Sequence, residues 1–158
     1  MGKEVKTNAM RILDRAKVEY EINLYECGEF HDGVSVADML GQPYESSFKT
    51  LVTAGKNGGH FVFVLPIARE LDLKAAAVAC GQKAVSMIPV KDITPLTGYV
   101  RGGCTCIGMK KAFPTVIDAS ALKFDRIIVS GGRIGAQIIL SPSDLARVAG
   151  AEFADICL

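Results

Sequence analysis

Hydrophobic and polar residues alternate along several short stretches of this chain, and such alternation is typical of β-strands. The six runs with strand character are residues 20–25, 47–54, 60–66, 114–118, 125–130 and 136–140. Glycine-rich segments join two pairs of these runs: residues 55–59 separate the second from the third, and residues 131–135 separate the last two. Each pair is therefore predicted to form a β-hairpin.

Helical patterns fill the segments between the strands. The predicted helices are residues 3–17, residues near 34–40, residues 70–80, a short turn at 89–96, and a last helix that Ser141 opens. Gly41 and Gly81 follow two of them, as expected of residues that end helices. We therefore predict a mixed α/β fold, a single domain over residues 1–158 with antiparallel hairpins and no regular alternation of strand and helix.

Composition and charge exclude some classes of protein. The chain has 158 residues, 49% of them hydrophobic, which excludes a disordered protein. The net charge is +1, so no overall basic field indicates nucleic-acid binding. Charge is uneven, however: residues 1–50 carry six basic and nine acidic side chains, whereas residues 98–133 carry six basic and two acidic ones. The second segment fits either a phosphate-binding patch or an ordinary solvated surface.

The five cysteines are odd in number and irregular in spacing, which indicates reduced thiols rather than a disulfide framework. Residues 1–17 are too charged for a signal peptide, and no apolar run is long enough to span a bilayer. A cytoplasmic protein is therefore expected. Cys104 and Cys106 lack two further ligands at workable positions, so we expect no metal site, and no cofactor.

Lys49 is the first candidate for a ligand-binding group. It lies inside a predicted strand, where alternation puts Ser47, Lys49 and Leu51 on one face and Phe48, Thr50 and Val52 on the other. A lysine that faces an interior or a cleft is costly unless it meets an anion. The alternative is a lysine on an edge strand that discourages aggregation.

Other motifs exclude familiar chemistry. The glycines at 131–135 do not form GxGxxG, and a strand follows them, which argues against a dinucleotide site. Ser46 and Lys49 match SxxK only formally, because on a strand they point to opposite faces. His31 and His60 lie in no catalytic motif and are interpreted as structural or surface residues.

Glycine-rich loops supply a further signal. Residues 98–103 contain three glycines, and Ser130 precedes another glycine pair. Such loops let the backbone approach a ligand and direct N–H groups at an oxygen, although a tight turn explains the pattern equally well.

A set of short segments in a specific order resembles a known family. The segments are Tyr25-Glu26, Phe48-Lys49-Thr50-Leu51, Glu70-Leu71-Asp72-Leu73-Lys74, Thr97-Gly98-Tyr99, Arg101-Gly102-Gly103, Gly108-Met109-Lys110-Lys111, Pro114-Thr115-Val116-Ile117-Asp118 and Val129-Ser130-Gly131-Gly132. Between residues 6 and 156 the chain resembles the YbaK-type bacterial Cys-tRNA(Pro) deacylases of the prolyl-tRNA synthetase editing-domain superfamily. The resemblance implies a barrel-like mixed sheet surrounded by helices.

The resemblance also implies a task and a site. Prolyl-tRNA synthetase attaches cysteine to tRNA(Pro) by mistake, and members of the family hydrolyse that ester at the 3′ end as separate proteins. The implied catalytic residues are Lys49 and Gly102. The implied substrate-binding residues are Tyr25, Phe30, Thr50, Gly103, Ser130 and Gln137. Some members carry phenylalanine at the position of Asp32 and aspartate at the position of Gln137.

The expected mechanism needs no side-chain nucleophile, since no nucleophile with a partnered base is visible in the sequence. In the family the cysteinyl thiol attacks its own ester, while the protein positions and polarises the carbonyl. The implied partners are the aminoacyl-tRNA 3′ end and prolyl-tRNA synthetase. Two alternatives stay open: a deacylase for another small amino acid, such as alanine, that uses a bound water, and a binding module without turnover.

Overall fold

The computed structural model describes residues 6–26 and 31–158. Its strands are β1 (Tyr20–Leu24), β2 (Phe48–Gly55), β3 (His60–Pro66), β4 (Val85–Met87), β5 (Thr115–Asp118), β6 (Ile127–Ser130), β7 (Ala136–Leu140) and β8 (Ala151–Ala154). Its α-helices are α1 (Asn8–Arg15), α2 (Gly33–Leu40), α3 (Leu73–Ala79), α4 (Ile93–Thr97) and α5 (Pro142–Ala149), with 3-10 turns at Val90–Asp92 and Ala119–Lys123. Within the described residues, no helix is long and apolar enough to span a membrane.

The strands form two sheets. One has the order β1-β7-β6 and is antiparallel throughout. The other has the order β4-β2-β3-β5-β8, in which β2 pairs antiparallel with β3 and β4, while β3–β5 and β5–β8 are parallel. The mixed α/β fold and both hairpins are thus confirmed. The two parallel pairings, and strands β4 and β8, are additions that the alternation pattern did not predict.

The two sheets meet but do not close into one barrel within the described residues. An isolated parallel bridge between Ser47 and Ile128 joins the start of β2 to β6. Ser47 therefore lies outside β2, although it was predicted to open that strand. The barrel-like sheet implied by the family resemblance is, in this chain, two sheets in contact along one edge.

Capping side chains explain where the helices begin. The Thr7 hydroxyl accepts from the Met10 amide and caps α1, which begins at Asn8 inside the predicted range 3–17, of which residues 3–5 lie outside the described residues. The Asp72 carboxylate accepts from the amides of Lys74 and Ala75, so α3 begins at Leu73 rather than at residue 70. Ser141 caps α5 as predicted, with Pro142 in the first turn.

The five-stranded sheet is buried on both faces. Val62 and Val64 of β3 belong to the larger core, which lies between the sheets with α1 and α5. Phe63 and Leu65 belong to a second core beneath α3. Because facing residues in an antiparallel pair share a side, Lys49, which lies opposite Leu65, is on the face of this second core.

Candidate functional site

A cavity of about 390 Å³ lies where the two sheets meet. Its walls come from β2, from β6 and β7, from the first turn of α2, from the segment after β4, and from the glycine-rich loop after α4. Six of the predicted site residues line it: Tyr25, Lys49, Thr50, Gly102, Ser130 and Gln137. The fold thus brings together residues that are spread over more than a hundred positions of sequence.

Two further predicted site residues have a different outcome. Phe30 lies outside the described residues, so its placement stays a prediction. Gly103 is buried and is absent from the described lining of the cavity. A Cβ on Gly103 would come within 2.7 Å of Arg133 Cα, so this glycine allows the two glycine-rich loops to meet. The structure therefore gives Gly103 a packing role, and its contact with substrate stays a prediction.

Lys49 is half-buried at the edge of the cavity. Its Nζ donates a hydrogen bond to the carbonyl oxygen of Ile67 at 3.3 Å. Burial lowers the pKa of Lys49, while the fields of Cys157, Glu70 and Asp32 partly oppose that shift. With respect to the described residues, two donor positions of the ammonium remain for other acceptors, in surroundings where a hydrogen bond to a developing negative charge is stronger than in water.

The Gly102 backbone forms the wall that faces the end of β6. Gly102 has φ +87°, in the left-handed region that favours glycine. Its carbonyl oxygen accepts from the Ser130 hydroxyl at 3.5 Å. The bond joins the loop after α4 to the start of the β6–β7 turn, so Gly102 and Ser130 act as one wall.

Gln137 belongs to a network of three side-chain amides. Gln42 Nε2 donates to Gln137 Oε1 at 2.8 Å, and Gln137 Nε2 donates back to Gln42 Oε1 at 3.0 Å. Asn23 Nδ2 also donates to Gln137 Oε1, at 2.9 Å. Gln42 lines the cavity too, and our sequence interpretation missed it. The available signal was its place directly after Gly41, but its partner lies 95 residues away.

The cavity's small nucleophiles lack a base partner among the described residues. Ser47 donates to the Pro43 carbonyl at 2.7 Å, and Ser130 donates to that of Gly102. Burial raises the pKa of Cys104 to about 11, so its thiol is protonated at neutral pH. None of these three side chains is bonded to a histidine or a carboxylate in the described part of the chain. Residues 6–26 and 31–158 therefore provide no serine or cysteine nucleophile with a general base in the cavity.

His31 and Asp32 both line the cavity at the start of α2. Asp32 caps that helix and accepts from the Ser35 amide at 2.8 Å, and this hydrogen bond holds the pKa of Asp32 below its usual range. His31 is exposed. The second histidine, His60, makes an edge contact with the Phe113 ring, with centroids 5.6 Å apart. Of the two histidines, only His31 is placed to contact a ligand in the cavity.

The loops that close the cavity carry basic side chains. Arg101 lines the cavity, and Arg133 follows in the adjacent loop. The Lys110 amide donates to the Thr97 carbonyl at 2.9 Å, which places that lysine beside the same loop. Residues 98–117 contain no aspartate or glutamate. A ligand in the cavity thus meets a positive surface at this side, which favours a polyanionic ligand.

A half-buried lysine, a glycine loop and Arg101 line one cavity beside further basic side chains on the neighbouring loops, and these groups can pair with the oxygens of an ester or a phosphate. The family model for the aminoacyl-tRNA editing domain matches residues 29–148. The chain therefore belongs to the aminoacyl-tRNA editing domain family, as its short motifs had suggested.

Individual relatives agree with this assignment. A protein of Enterococcus faecalis that bears the name Cys-tRNA(Pro)/Cys-tRNA(Cys) deacylase EbsC is 45% identical over 152 residues, covering 96% of this chain and 93% of its own length. Among solved structures, the hypothetical protein APE2540 superimposes with a TM-score of 0.85 at 22% identity, over 94% of this chain and 97% of its own. A structure described as a trans-editing enzyme for prolyl-tRNA synthetase superimposes with a TM-score of 0.79 at 20% identity, over 98% of this chain and 99% of its own. The two solved structures support the fold.

Proposed function

We propose that this protein is a trans-acting deacylase that hydrolyses cysteine from mischarged tRNA(Pro). The observation that carries the proposal is the 45% identity to EbsC over 96% of the chain, within a family of aminoacyl-tRNA editing domains. The cavity between the sheets, with Lys49 and Gly102 on its walls, is the proposed site of hydrolysis.

The proposed chemistry uses the thiol of the substrate. The cysteinyl sulfur forms a bond to its own ester carbonyl carbon, the bond from that carbon to the ribose oxygen breaks, and the thiol proton passes to the departing ribose hydroxyl. The resulting four-membered thiolactone then takes up water and opens to free cysteine. This route agrees with a cavity whose described serines and Cys104 have no base partner.

In this mechanism the protein supplies position and charge. We assign to Lys49 and to the Gly102 backbone the stabilisation of negative charge that develops on the carbonyl oxygen. Tyr25, Phe30, Thr50, Gly103, Ser130 and Gln137 are proposed to contact the substrate. Selectivity follows from the nucleophile: an amino acid of similar size without a thiol binds in the cavity but lacks the attacking group.

The basic loops fit the remainder of the substrate. Arg101, Lys110 and Arg133 lie near the side of the cavity that Gly102 forms. We propose that they contact phosphates next to the aminoacylated 3′ end. Because the net charge is only +1, affinity for tRNA alone is expected to be weak, and we propose prolyl-tRNA synthetase as the partner that presents the substrate in the cytoplasm.

The proposal is tested by single-turnover deacylation of tRNA(Pro) charged in turn with cysteine, alanine, serine and proline. Rapid hydrolysis of the cysteinyl ester alone supports it. Rapid hydrolysis of the alanyl ester would instead indicate an activated water. If every ester is hydrolysed only at the spontaneous rate, with the protein in excess over tRNA, the protein is a binding module without turnover.

A further inference from the structure

Gln42 forms a two-way amide pair with Gln137 in the wall of the cavity. Its backbone is held by the end of α2, where Gly41 adopts φ +66°. The Gln42 amide donates to the Ala37 carbonyl at 2.9 Å, and the Gly41 amide donates to that of Asp38 at 3.4 Å, as in a Schellman motif. This helix end directs the Gln42 side chain from the α2–β2 connection towards β7 of the other sheet.

The hydrogen bonds couple the orientation of the Gln137 amide to those of Gln42 and Asn23. Its Oε1 accepts from both Gln42 and Asn23, which uses both lone pairs of that oxygen. Its Nε2 uses one N–H on Gln42 Oε1. Within the part of the chain that the structure describes, a single N–H of Gln137 thus remains for a ligand, and no acceptor does. If Gln137 alone turned, its NH2 group would face two donors, so Gln42 and Asn23 oppose a flip of this amide by itself.

We propose that Gln42 is a positioning residue for the substrate, which holds the Gln137 amide so that it offers a hydrogen-bond donor to an uncharged oxygen of the aminoacyl ester or its ribose. This inference rests on the proposed function. Gln137 would thus recognise a hydrogen-bond acceptor of the substrate through an N–H group that Gln42 orients. Gln137 makes the contact, and Gln42 acts through it.

The decisive variant is Gln42→Glu, which keeps the size of the side chain. An ionised carboxylate at position 42 can accept from Gln137 Nε2 but cannot donate to Gln137 Oε1, so two acceptors would face each other. A protonated carboxyl group restores the missing donor. We define the rate ratio as the single-turnover rate of the variant divided by that of the wild type. For Gln42→Glu we expect a ratio of about 0.1 at pH 8, which rises towards one as the pH falls through the carboxyl pKa.

Other ionisable groups do not imitate this profile. The titratable or charged residues that line the cavity are Tyr25, His31, Asp32, Lys49, Arg101 and Cys104. Both proteins contain these groups, so the ratio removes the part of their titration that the two proteins share. The matched control is Asn57→Asp, the same amide-to-acid change at an exposed residue of the β2–β3 turn outside the cavity lining, for which the ratio should stay near one at every pH.

Gln42→Leu is a second, independent test of the positioning role. It removes the pair altogether, and we expect about a tenfold slower single turnover, equal to roughly 1.4 kcal/mol of barrier, with a thermal melt that shows a folded protein. If this variant does not fold, the ratio for Gln42→Glu decides. A Gln42→Glu ratio that does not change with pH would overturn the proposal, as would a folded Gln42→Leu variant within twofold of wild type.

Failure of the proposed function is separable. If the wild-type protein hydrolyses no aminoacyl-tRNA, the same variants are compared by the affinity for 3′-cysteinylamino-adenosine, whose amide link resists hydrolysis. About tenfold weaker binding by Gln42→Leu than by wild type would support the positioning role although the protein is not a deacylase. Equal affinities, or no binding by the wild type, would overturn it.

Discussion

The ammonium of Lys49 donates to the Ile67 carbonyl, 3.3 Å away, from a strand whose Leu51, on the same face, packs against the second core. This bond fixes the lysine at the edge of the cavity, where Ile67 also contributes to the lining. Since a carbonyl is a neutral partner, the positive charge of Lys49 is not cancelled there. The relationship explains how a lysine is held in a half-buried strand and still has donors for a substrate.

Lys49→Ala is expected to lower single-turnover deacylation of Cys-tRNA(Pro) by roughly 10²–10³-fold, the range for loss of one donor to a developing oxyanion. Circular dichroism should show an intact fold. Lys56→Ala, an exposed lysine in the β2–β3 turn, is the matched control and should react like wild type. A Lys49→Ala rate within a factor of three of wild type would contradict the catalytic role.

Lys49 should also leave a signature in stability. Burial lowers its pKa in the folded state, so between that lowered pKa and the unfolded value of 10.5 the unfolded chain binds more protons. The free energy of unfolding of the wild type, relative to that of Lys49→Met, should therefore increase as pH rises through this window, because the cost of the buried charge disappears. Urea unfolding at pH 7, 9 and 10.5 measures the difference. A constant difference would show that Lys49 is not desolvated.

The cysteines of the chain are expected to be dispensable for catalysis. Burial raises the pKa of Cys106 to about 12 and that of Cys104 to about 11, so both are unreactive thiols at pH 7. The Cys104→Ser, Cys106→Ser double variant should retain at least a tenth of the wild-type rate, with and without a chelator. A greater loss in a folded protein would implicate one of the thiols, and sensitivity to chelator would implicate a metal.

Substitutions in the basic loops should weaken deacylation of tRNA substrates and leave the hydrolysis of small esters unchanged. Lys110→Gln with Lys111→Gln is expected to raise KM for Cys-tRNA(Pro) and to reduce the salt dependence of kcat/KM by roughly one to two in log–log slope. Cysteinyl esters of adenosine, which lack the acceptor stem, should react at unchanged rates. Lys74→Gln with Lys83→Gln, exposed on and after α3, is the control pair. Equal effects on both substrates would argue against a phosphate-binding surface.

Much of the architecture could be predicted from local pattern. The β2–β3 hairpin follows from a strand period and a turn rich in glycine, and Ser141 marks the start of α5 by its capping chemistry. The short strands β4 and β8 carry no such pattern. With three and four residues, they are strands only because β2 and β5 offer them free edges.

The candidate site likewise combines residues that could be predicted from the sequence with residues that could not. Lys49 could be predicted because a charge in an apolar strand violates the local pattern. Gln42 could not, because a glutamine after a helix-ending glycine is ordinary, and its role comes from a pairing between the α2–β2 connection and Gln137 of β7. Gly103 shows the limit of motif reasoning, since its lack of a side chain serves the approach of the Arg133 backbone.

The most direct test of substrate-thiol catalysis compares Cys-tRNA(Pro) with Ser-tRNA(Pro) in single-turnover deacylation. Replacing sulfur by oxygen nearly preserves shape but gives a far weaker nucleophile at neutral pH. Cys-tRNA(Pro) should lose its amino acid at least 10²-fold faster than Ser-tRNA(Pro), roughly 2.7 kcal/mol of barrier, even when both are saturating. Equal rates for the two esters would contradict the mechanism and would direct attention to a water held near His31 and Asp32.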